Sequence, residues 1–179
     1  MSQKKSRLLR PEYRKNNTMS AKEDIIWIGN DHGGYDLKVE YVKYLSENGY
    51  TVHDVGSAST EIVRYPHFAV KVAAEISAGR VRRGILICST GIGISIVANR
   101  FKGVRASVCT STYLARMTRE HNDSNILCMG GKVTGVGEAL DILATWLSTA
   151  YQGGRHDISL GLIKDIDDSI SQPESWDFI

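Results

Sequence analysis

The chain has 179 residues and a mass of 19.8 kDa, which suits one domain with extensions. Its 42% hydrophobic and 23% charged residues are typical of a globular protein, and a formal net charge of +2 gives no indication of a nucleic-acid partner. Three cysteines without Cys-x-x-Cys spacing argue against disulfides and structural zinc, so we expect a reducing, cytoplasmic location. No apolar run approaches the ~20 residues of a membrane span, and we expect no membrane association.

The start of the chain differs from the rest in charge. Residues 1–18 carry six basic side chains against a single acid, Glu12. A solvated extension, an organelle presequence and a functional start at Met19 are all compatible with such a segment. We predict a disordered basic extension over 1–22, one domain over 23–170 and a loose tail over 171–179.

Apolar runs separated by turn residues predict a regular alternation of strands and helices. The expected strands are 25–29, 51–55, 84–88, 105–109 and 125–129. The expected helices are 35–48, 65–77, 92–101, 112–121, 135–149 and one beginning after Gly154. Because such alternation builds βαβ units, the predicted fold class is α/β, a three-layer α/β/α sandwich around a five-stranded parallel, Rossmann-like sheet.

The third predicted strand ends in a cysteine, and a glycine-rich turn follows it. Cys88 ends the strand, and the segment Ser89 to Gly93 reads Ser-Thr-Gly-Ile-Gly before a helix begins. The amides of such a turn and the positive end of the helix dipole favour bound negative charge and the thiolate form of the cysteine. For Cys88 taken alone, a buried structural cysteine is the alternative interpretation.

Polar residues that follow parallel strands are candidate ligand contacts, because ligands of open α/β sheets bind beyond the carboxyl ends of the strands. The residues that this fold gathers there are Asp31, His32, Cys88, Thr90 and the loop 128–132. Asp31 and His32 are also consistent with simple capping of the next helix. The two glycines that follow them favour close approach of a ligand.

His121 ends a predicted helix and is followed by Asn122 and Asp123. An imidazole in the last turn of a helix interacts favourably with the helix dipole, and it can also transfer a proton near neutral pH. The sequence leaves both interpretations open.

Other cofactor motifs are weak or missing in the sequence. The segment from Gly91 to Ile96 superficially matches a dinucleotide fingerprint, but an isoleucine replaces the third glycine and no carboxylate follows the next strand. There is no phosphate-loop lysine and no cluster with metal-ligand spacing. We therefore expect neither a cofactor nor a metal.

Taken together, these residues resemble the ribose-5-phosphate isomerase B family, which includes galactose-6-phosphate and allose-6-phosphate isomerases. The likeness extends over roughly 25–166 and rests on Asp31-His32, Tyr65-Pro66-His67, Cys88-Ser-Thr-Gly-Ile-Gly93, Asn99, His121-Asn-Asp-Ser-Asn125 and Gly153-Gly-Arg155-His156. The resemblance implies a cofactor-free aldose–ketose isomerase that interconverts ribose 5-phosphate and ribulose 5-phosphate through a cis-enediolate.

The resemblance also implies roles for individual residues. Cys88 is the expected base, His121 the residue that opens the sugar ring, and Thr90 a group that stabilises the oxyanion together with the turn amides. The implied substrate-binding residues are Asp31, His32, Ser89, Gly91, Ile92, Gly93, Asn122, Lys132, Arg155 and Ser159. A homodimer or homotetramer with the active site at the dimer interface is implied as well.

The expected phosphate anchor departs from the family pattern. Lys132 and Ser159 stand where arginines are common, and Arg64 replaces an acid. Two arginines at i and i+4 would clamp one phosphate, whereas Arg155 with Ser159 offers one guanidinium and one hydroxyl. Losing a charge-assisted contact weakens binding about ten- to a hundredfold. The same chemistry on a tetrose or hexose phosphate, and a non-catalytic sugar-phosphate sensor, therefore remain alternatives.

Overall fold

A computed structural model describes residues 25–169, so the predicted extension over 1–22 and the tail over 171–179 lie outside the described residues. The strands are β1 (Ile25–Asn30), β2 (Thr51–Asp54), β3 (Arg83–Cys88), β4 (Ala106–Val108) and β5 (Ile126–Gly130). The helices are α1 (Tyr35–Glu47), α2 (Tyr65–Ser77), α3 (Ile92–Ala98), α4 (Thr112–Asn122), α5 (Val136–Ser148) and α6 (Arg155–Ser169), and a short 3₁₀ helix spans His32–Gly34. None of the helices within 25–169 is both long and apolar enough to cross a bilayer.

The five strands pair in parallel in the order β2-β1-β3-β5-β4, and the predicted α/β fold class is confirmed. The winding of the chain reverses between β1 and β3, because β1 pairs with β2 on one side and with β3 on the other. Crevices for ligands form at such reversal points, outside the carboxyl ends of the strands. The end of β1 and the end of β3, where Cys88 lies, are therefore neighbours at this crevice.

Strand β3 is buried on both faces, as its apolar run predicts. Ile85 and Ile87 join the core between the sheet and helices α1, α4 and α5. Leu86 and Cys88 alternate to the other face and join the core under α2 and α3. This alternation directs the thiol to the same side of the sheet as helix α3, which begins just beyond it.

Helix α3 is shorter than the predicted span of 92–101, whereas the other predicted ends agree with the structure to within one residue. It ends at Ala98 because the next side chain, Asn99, pairs with the backbone of β4. The Asn99 amide donates to the carbonyl oxygen of Ala106 and accepts from its N–H, both at 2.8 Å. The chain then turns so that Phe101 is buried, and Gly103 adopts a φ of 72°. A tertiary contact thus overrides the local helical pattern.

Candidate active site

The turn after β3 holds the sulfur of Cys88 against a backbone amide. The side chain is 4% exposed, and the N–H of Gly91 donates to Sγ at an N···S distance of 3.1 Å. A donated N–H stabilises negative charge on the sulfur. Gly91 has a φ of 80°, and a Cβ there would lie 3.0 Å from the carbonyl carbon of Met129. Backbone conformation and space therefore both require glycine at this position.

The first residues of α3 are covered on one side by an aromatic ring. A Cβ on Gly93 would lie 2.9 Å from the ring of Tyr65, so the ring packs directly on the backbone. Thr90 is exposed, and its hydroxyl accepts from the N–H of Ile92 at 3.3 Å. The sequence assigned no role to Tyr65, although the Tyr-Pro-His segment was part of the family resemblance.

The loop after β5 lies beside the thiol, as predicted for the loop 128–132. The N–H of Gly131 donates to the carbonyl oxygen of Cys88 at 2.8 Å, and the N–H of Lys132 donates to that of Ser89 at 3.1 Å. The Lys132 side chain is exposed. The loop therefore fixes the backbone of the turn and leaves the ammonium in solvent.

The loop after β1 lies on the other side of the turn. Asp31 is 5% exposed, its N–H donates to the carbonyl oxygen of Ile87 at 3.1 Å, and its Oδ1 accepts from the N–H of Gly33 at 2.9 Å. His32 Nδ1 lies 3.1 Å from the carbonyl oxygen of Val63. Asp31 thus caps the short 3₁₀ helix and not α1, and its role in substrate binding stays a prediction.

The two glycines after Asp31 are explained by packing against β3. A Cβ on Gly33 would lie 2.2 Å from the hydroxyl of Ser89, and one on Gly34 would lie 2.7 Å from the carbonyl oxygen of Ile87. The structure therefore gives these glycines a packing role, and the close approach of a ligand stays a prediction. We call the turn 88–93, Asp31, His32 and the loop 130–132 the thiol half-site.

The other predicted site residues lie where α4 ends and α6 begins. His121 and Asn122 occupy the last turn of α4, and Arg155 opens α6. The rings of His121 and His156 stack with centroids 4.2 Å apart and planes at 16°. Ser159 is exposed one helical turn after Arg155. We call His121, Asn122, Arg155, His156 and Ser159 the imidazole half-site.

An ion network fixes the loop that follows His121. Asp123 adopts the left-handed conformation with a φ of 44°. Its carboxylate accepts from Arg119 Nη1 at 2.7 Å and from Arg105 Nη2 at 3.0 Å, and Arg105 Nε also donates to the carbonyl oxygen of Asn122 at 2.9 Å. The sequence did not identify this network, because its members come from separate elements.

The two half-sites lie at opposite edges of the sheet. Cys88 pairs with Gly130 at the carboxyl edge, whereas Asn122 contacts Arg105, which immediately precedes β4 at the amino edge. The edges are separated by the length of β3, about 17 Å for the five steps from Arg83 to Cys88 at ~3.3 Å per residue. A single chain therefore does not bring Cys88 and His121 to one substrate.

A cavity of about 450 Å³ opens at the amino edge. Its charged and aromatic lining residues are Arg82, Arg83, Arg105, Arg119, Asp123 and Tyr151. Because Arg105 and Arg119 are engaged with Asp123 and with backbone carbonyls, we assign the cavity to the network that supports the His121 loop.

Comparisons with known proteins identify the family of the chain. A sequence profile of the Ribose/Galactose Isomerase family matches residues 26–163. Ribose-5-phosphate isomerase B of Escherichia coli is 49% identical over 131 residues, which cover 73% of this chain and 88% of that protein. D-erythrulose-4-phosphate isomerase of Pectobacterium atrosepticum is 40% identical over 130 residues, covering 72% and 86%.

The structural comparison leads to the same family. The solved structure of ribose-5-phosphate isomerase B from Clostridium thermocellum superimposes with a TM-score of 0.80 at 52% identity, covering 82% of this chain and 99% of that one. The sequence profile, the curated relatives and the fold therefore agree, and the chain belongs to the ribose/galactose isomerase family of enzymes.

Proposed function

We propose that this chain interconverts ribose 5-phosphate and ribulose 5-phosphate through a cis-enediolate, with Cys88 as the base and His121 as the residue that opens the ring. The observation that carries the proposal is the Cys88 sulfur, buried at the carboxyl end of β3 and 3.1 Å from the amide of Gly91. The names of the Escherichia coli and Clostridium thermocellum relatives support a pentose phosphate substrate.

The proposed chemistry moves protons within the substrate and needs no external oxidant. Ring opening breaks the C1–O4 bond as His121 protonates O4, and the imidazole then takes the proton of the O1 hydroxyl, which leaves an aldehyde at C1. The Cys88 thiolate then takes the proton from C2, and negative charge develops on O1. The thiol returns a proton to C1 while the O2 proton moves to O1, which gives the ketose.

The turn at Cys88 is suited to stabilising the enediolate. The charge on O1 would lie near the Thr90 hydroxyl and the amides between Ser89 and Gly93, in a turn whose backbone is fixed by packing. Preorganised donors of this kind contribute about a hundred- to a thousandfold in rate each. Asp31, His32 and Asn122 would orient the sugar hydroxyls.

We infer that two copies of the chain form each site, since the half-sites lie at opposite edges of the sheet. Exposed apolar side chains flank both of them. Ile92 and Ile96 on α3 are 57% and 54% exposed beside the thiol half-site, and Ile158 and Leu162 on α6 are 71% and 60% exposed beside the imidazole half-site. A two-fold contact between these surfaces would complete two identical sites at once.

In this arrangement the phosphate binds at the imidazole half-site of the second chain. Arg155 supplies a guanidinium there, Ser159 on the same helix face supplies a hydroxyl, and the exposed ammonium of Lys132 approaches from the thiol half-site. A dianionic phosphate held at one end places C1 and C2 of an extended sugar at the turn.

A tetrose phosphate is the second candidate substrate. The observation that favours it is Ser159, because one guanidinium clamps the phosphate less firmly than two, together with the 40% identity to a D-erythrulose-4-phosphate isomerase. Values of kcat/KM for four-, five- and six-carbon sugar phosphates decide between them. A clear preference for ribose 5-phosphate would eliminate the tetrose phosphate.

The direct test of the base is Cys88→Ala, assayed by ribose 5-phosphate turnover and by exchange of the substrate's carbon-bound proton in deuterated water. We expect both to fall by at least about a hundredfold. The matched control is Cys109→Ala, because burial raises the pKa of that thiol to about 12 and it lies outside the turn. Wild-type turnover in Cys88→Ala would disprove the assignment, and wild-type binding without exchange would indicate a sensor.

A further inference from the structure

The imidazole half-site contains a second histidine beside the proposed ring-opening residue. His156 lies in the first turn of α6, and its ring covers one face of the His121 ring at a centroid distance of 4.2 Å and an interplanar angle of 16°. Both side chains are half-buried. A ring covered on one face by another ring has fewer orientations open to it, so the stack restricts where the His121 nitrogens can point.

Arg155 contacts a ring nitrogen of His156. Its Nε lies 3.5 Å from His156 Nε2 and donates to it, which requires a lone pair on that nitrogen. The charged groups around His156 are His121, Arg155, Asp157 and Glu120. Desolvation first, then His121 and Arg155, lower the pKa of His156, and the two carboxylates oppose them only in part. These contacts favour the neutral imidazole of His156.

We propose that His156 is a positioning residue for ring opening, which holds the His121 imidazole by stacking and ties it to the phosphate anchor Arg155. The proposal rests on the proposed function. Arg155 and His156 are consecutive on α6, so the helix that binds the phosphate also orients the ring that protonates O4.

The proposal predicts a defect confined to cyclic substrates. Ribose 5-phosphate closes a five-membered ring through its 4-hydroxyl and must be opened before isomerisation. Ribulose 5-phosphate cannot close such a ring, because its 5-hydroxyl carries the phosphate. Proton exchange at C1 of ribulose 5-phosphate in deuterated water therefore requires phosphate binding and the thiol half-site but no ring opening, whereas turnover of ribose 5-phosphate requires ring opening as well.

The experiment compares His156→Ala, which removes the ring, with His156→Phe, which keeps a flat ring without its nitrogens. We expect His156→Ala to lower kcat for ribose 5-phosphate by about ten- to a hundredfold and to leave C1 exchange of ribulose 5-phosphate within about twofold of wild type. His156→Phe should recover most of the lost rate. His53→Ala is the control, since His53 on the edge strand β2 also packs against an aromatic ring, that of Trp27, with centroids 4.1 Å apart and planes at 37°.

A second measurement tests the stacking of His156 on His121 independently of catalysis. The ring protons of His121, observed by NMR, are displaced by the ring current of His156, and we expect them to move in His156→Ala and to change far less in His156→Phe. Three results would each overturn the proposal. The first is an equal loss of rate on ribose 5-phosphate and on ribulose 5-phosphate, and the second is an equal loss of rate in His156→Ala and His156→Phe. The third is an unchanged His121 spectrum in His156→Ala. Wild-type protein that isomerises no sugar phosphate would overturn the proposed function instead, and the spectra would still test the stack.

Discussion

The thiol half-site and the imidazole half-site differ in what holds their side chains. In the first, the backbone determines the position of Cys88: the side chain is 4% exposed, and the next residues form a turn in which glycine packing fixes the amides. In the second, His121 and Arg155 lie at helix ends: His121 stacks on His156 and precedes a loop held by the ion pairs of Asp123, and Arg155 contacts His156. The comparison teaches that the proposed base is held mainly by the backbone of its turn, whereas the residues proposed to bind and open the sugar are oriented by side-chain contacts between helices.

The prediction with the largest expected effect concerns whether the two half-sites of one active site come from different chains. Cys88→Ala and His121→Ala should each lower ribose 5-phosphate turnover by about a hundredfold or more. Random mixing of equal amounts of the two variants by co-expression should restore about a quarter of wild-type activity, because half of the dimers then contain one intact site.

The control for this mixture is a single chain that carries both substitutions, co-expressed with Cys88→Ala. No dimer in that mixture has an intact site, so no recovery is expected. Absence of recovery in the first mixture, with mixed dimers detected by mass spectrometry, would contradict a site shared between chains.

The next prediction concerns the backbone of the thiol half-site. Gly91→Ala should lower turnover by about a hundredfold, because a shift of the turn by about 1 Å misplaces the sulfur and its donor amide. It should also lower the free energy of unfolding by at least about 1–2 kcal/mol, the cost of a left-handed alanine.

Gly49→Ala is the control variant that separates the cost of backbone strain from an effect on catalysis. Gly49 has a φ of 83° and no atom within 4 Å of an added Cβ, so this variant carries the backbone cost alone. Chemical denaturation and steady-state kinetics should show similar destabilisation but unchanged turnover. If Gly91→Ala behaved the same way, the turn would not be catalytic.

A smaller effect is expected from rebuilding the phosphate anchor. Ser159→Arg places a second guanidinium one turn after Arg155, and we expect it to lower KM for ribose 5-phosphate about tenfold through one charge-assisted contact. Ser159→Gln matches the added length without the charge and should leave KM near the wild-type value. An equal change in the two variants would show that the phosphate does not bind at this face of α6.

The smallest effect concerns the ion pairs that tie α6 to the domain. Lys102 and Lys164 flank Asp168 and lower its pKa to about 2, from an ordinary value of 3.8. A carboxylate whose pKa is lowered in the folded state stabilises the fold at pH values above its ordinary pKa. This stabilisation is lost as the pH falls from about 4 to about 2.

Asp168→Asn should therefore lower the thermal midpoint slightly at pH 7, and the difference from wild type should vanish near pH 2. The pairs are exposed to solvent, so the shift is small. Asp165→Asn, on the same helix, should show a smaller pH-dependent difference. A difference that persists at pH 2 would assign the effect to something other than these ion pairs.

The sequence by itself determined the fold class, the ends of most helices and strands, and the turn at Cys88. These features depend on neighbouring residues: apolar periodicity defines the strands, and the Ser-Thr-Gly-Ile-Gly segment brings the amide of Gly91 to the sulfur of Cys88, three residues earlier. The phosphate-anchor residues were identified through family resemblance, and their substrate roles remain predictions.

Only the tertiary structure decided how these parts are arranged. The placement of β5 between β3 and β4 brings Gly131 to Cys88, and it depends on pairing between distant segments. The separation of Cys88 from His121 follows from the antiparallel course of α4 along the sheet. The stack of His156 on His121 joins residues 35 positions apart through the packing of α4 against α6, and no local pattern specifies such a contact.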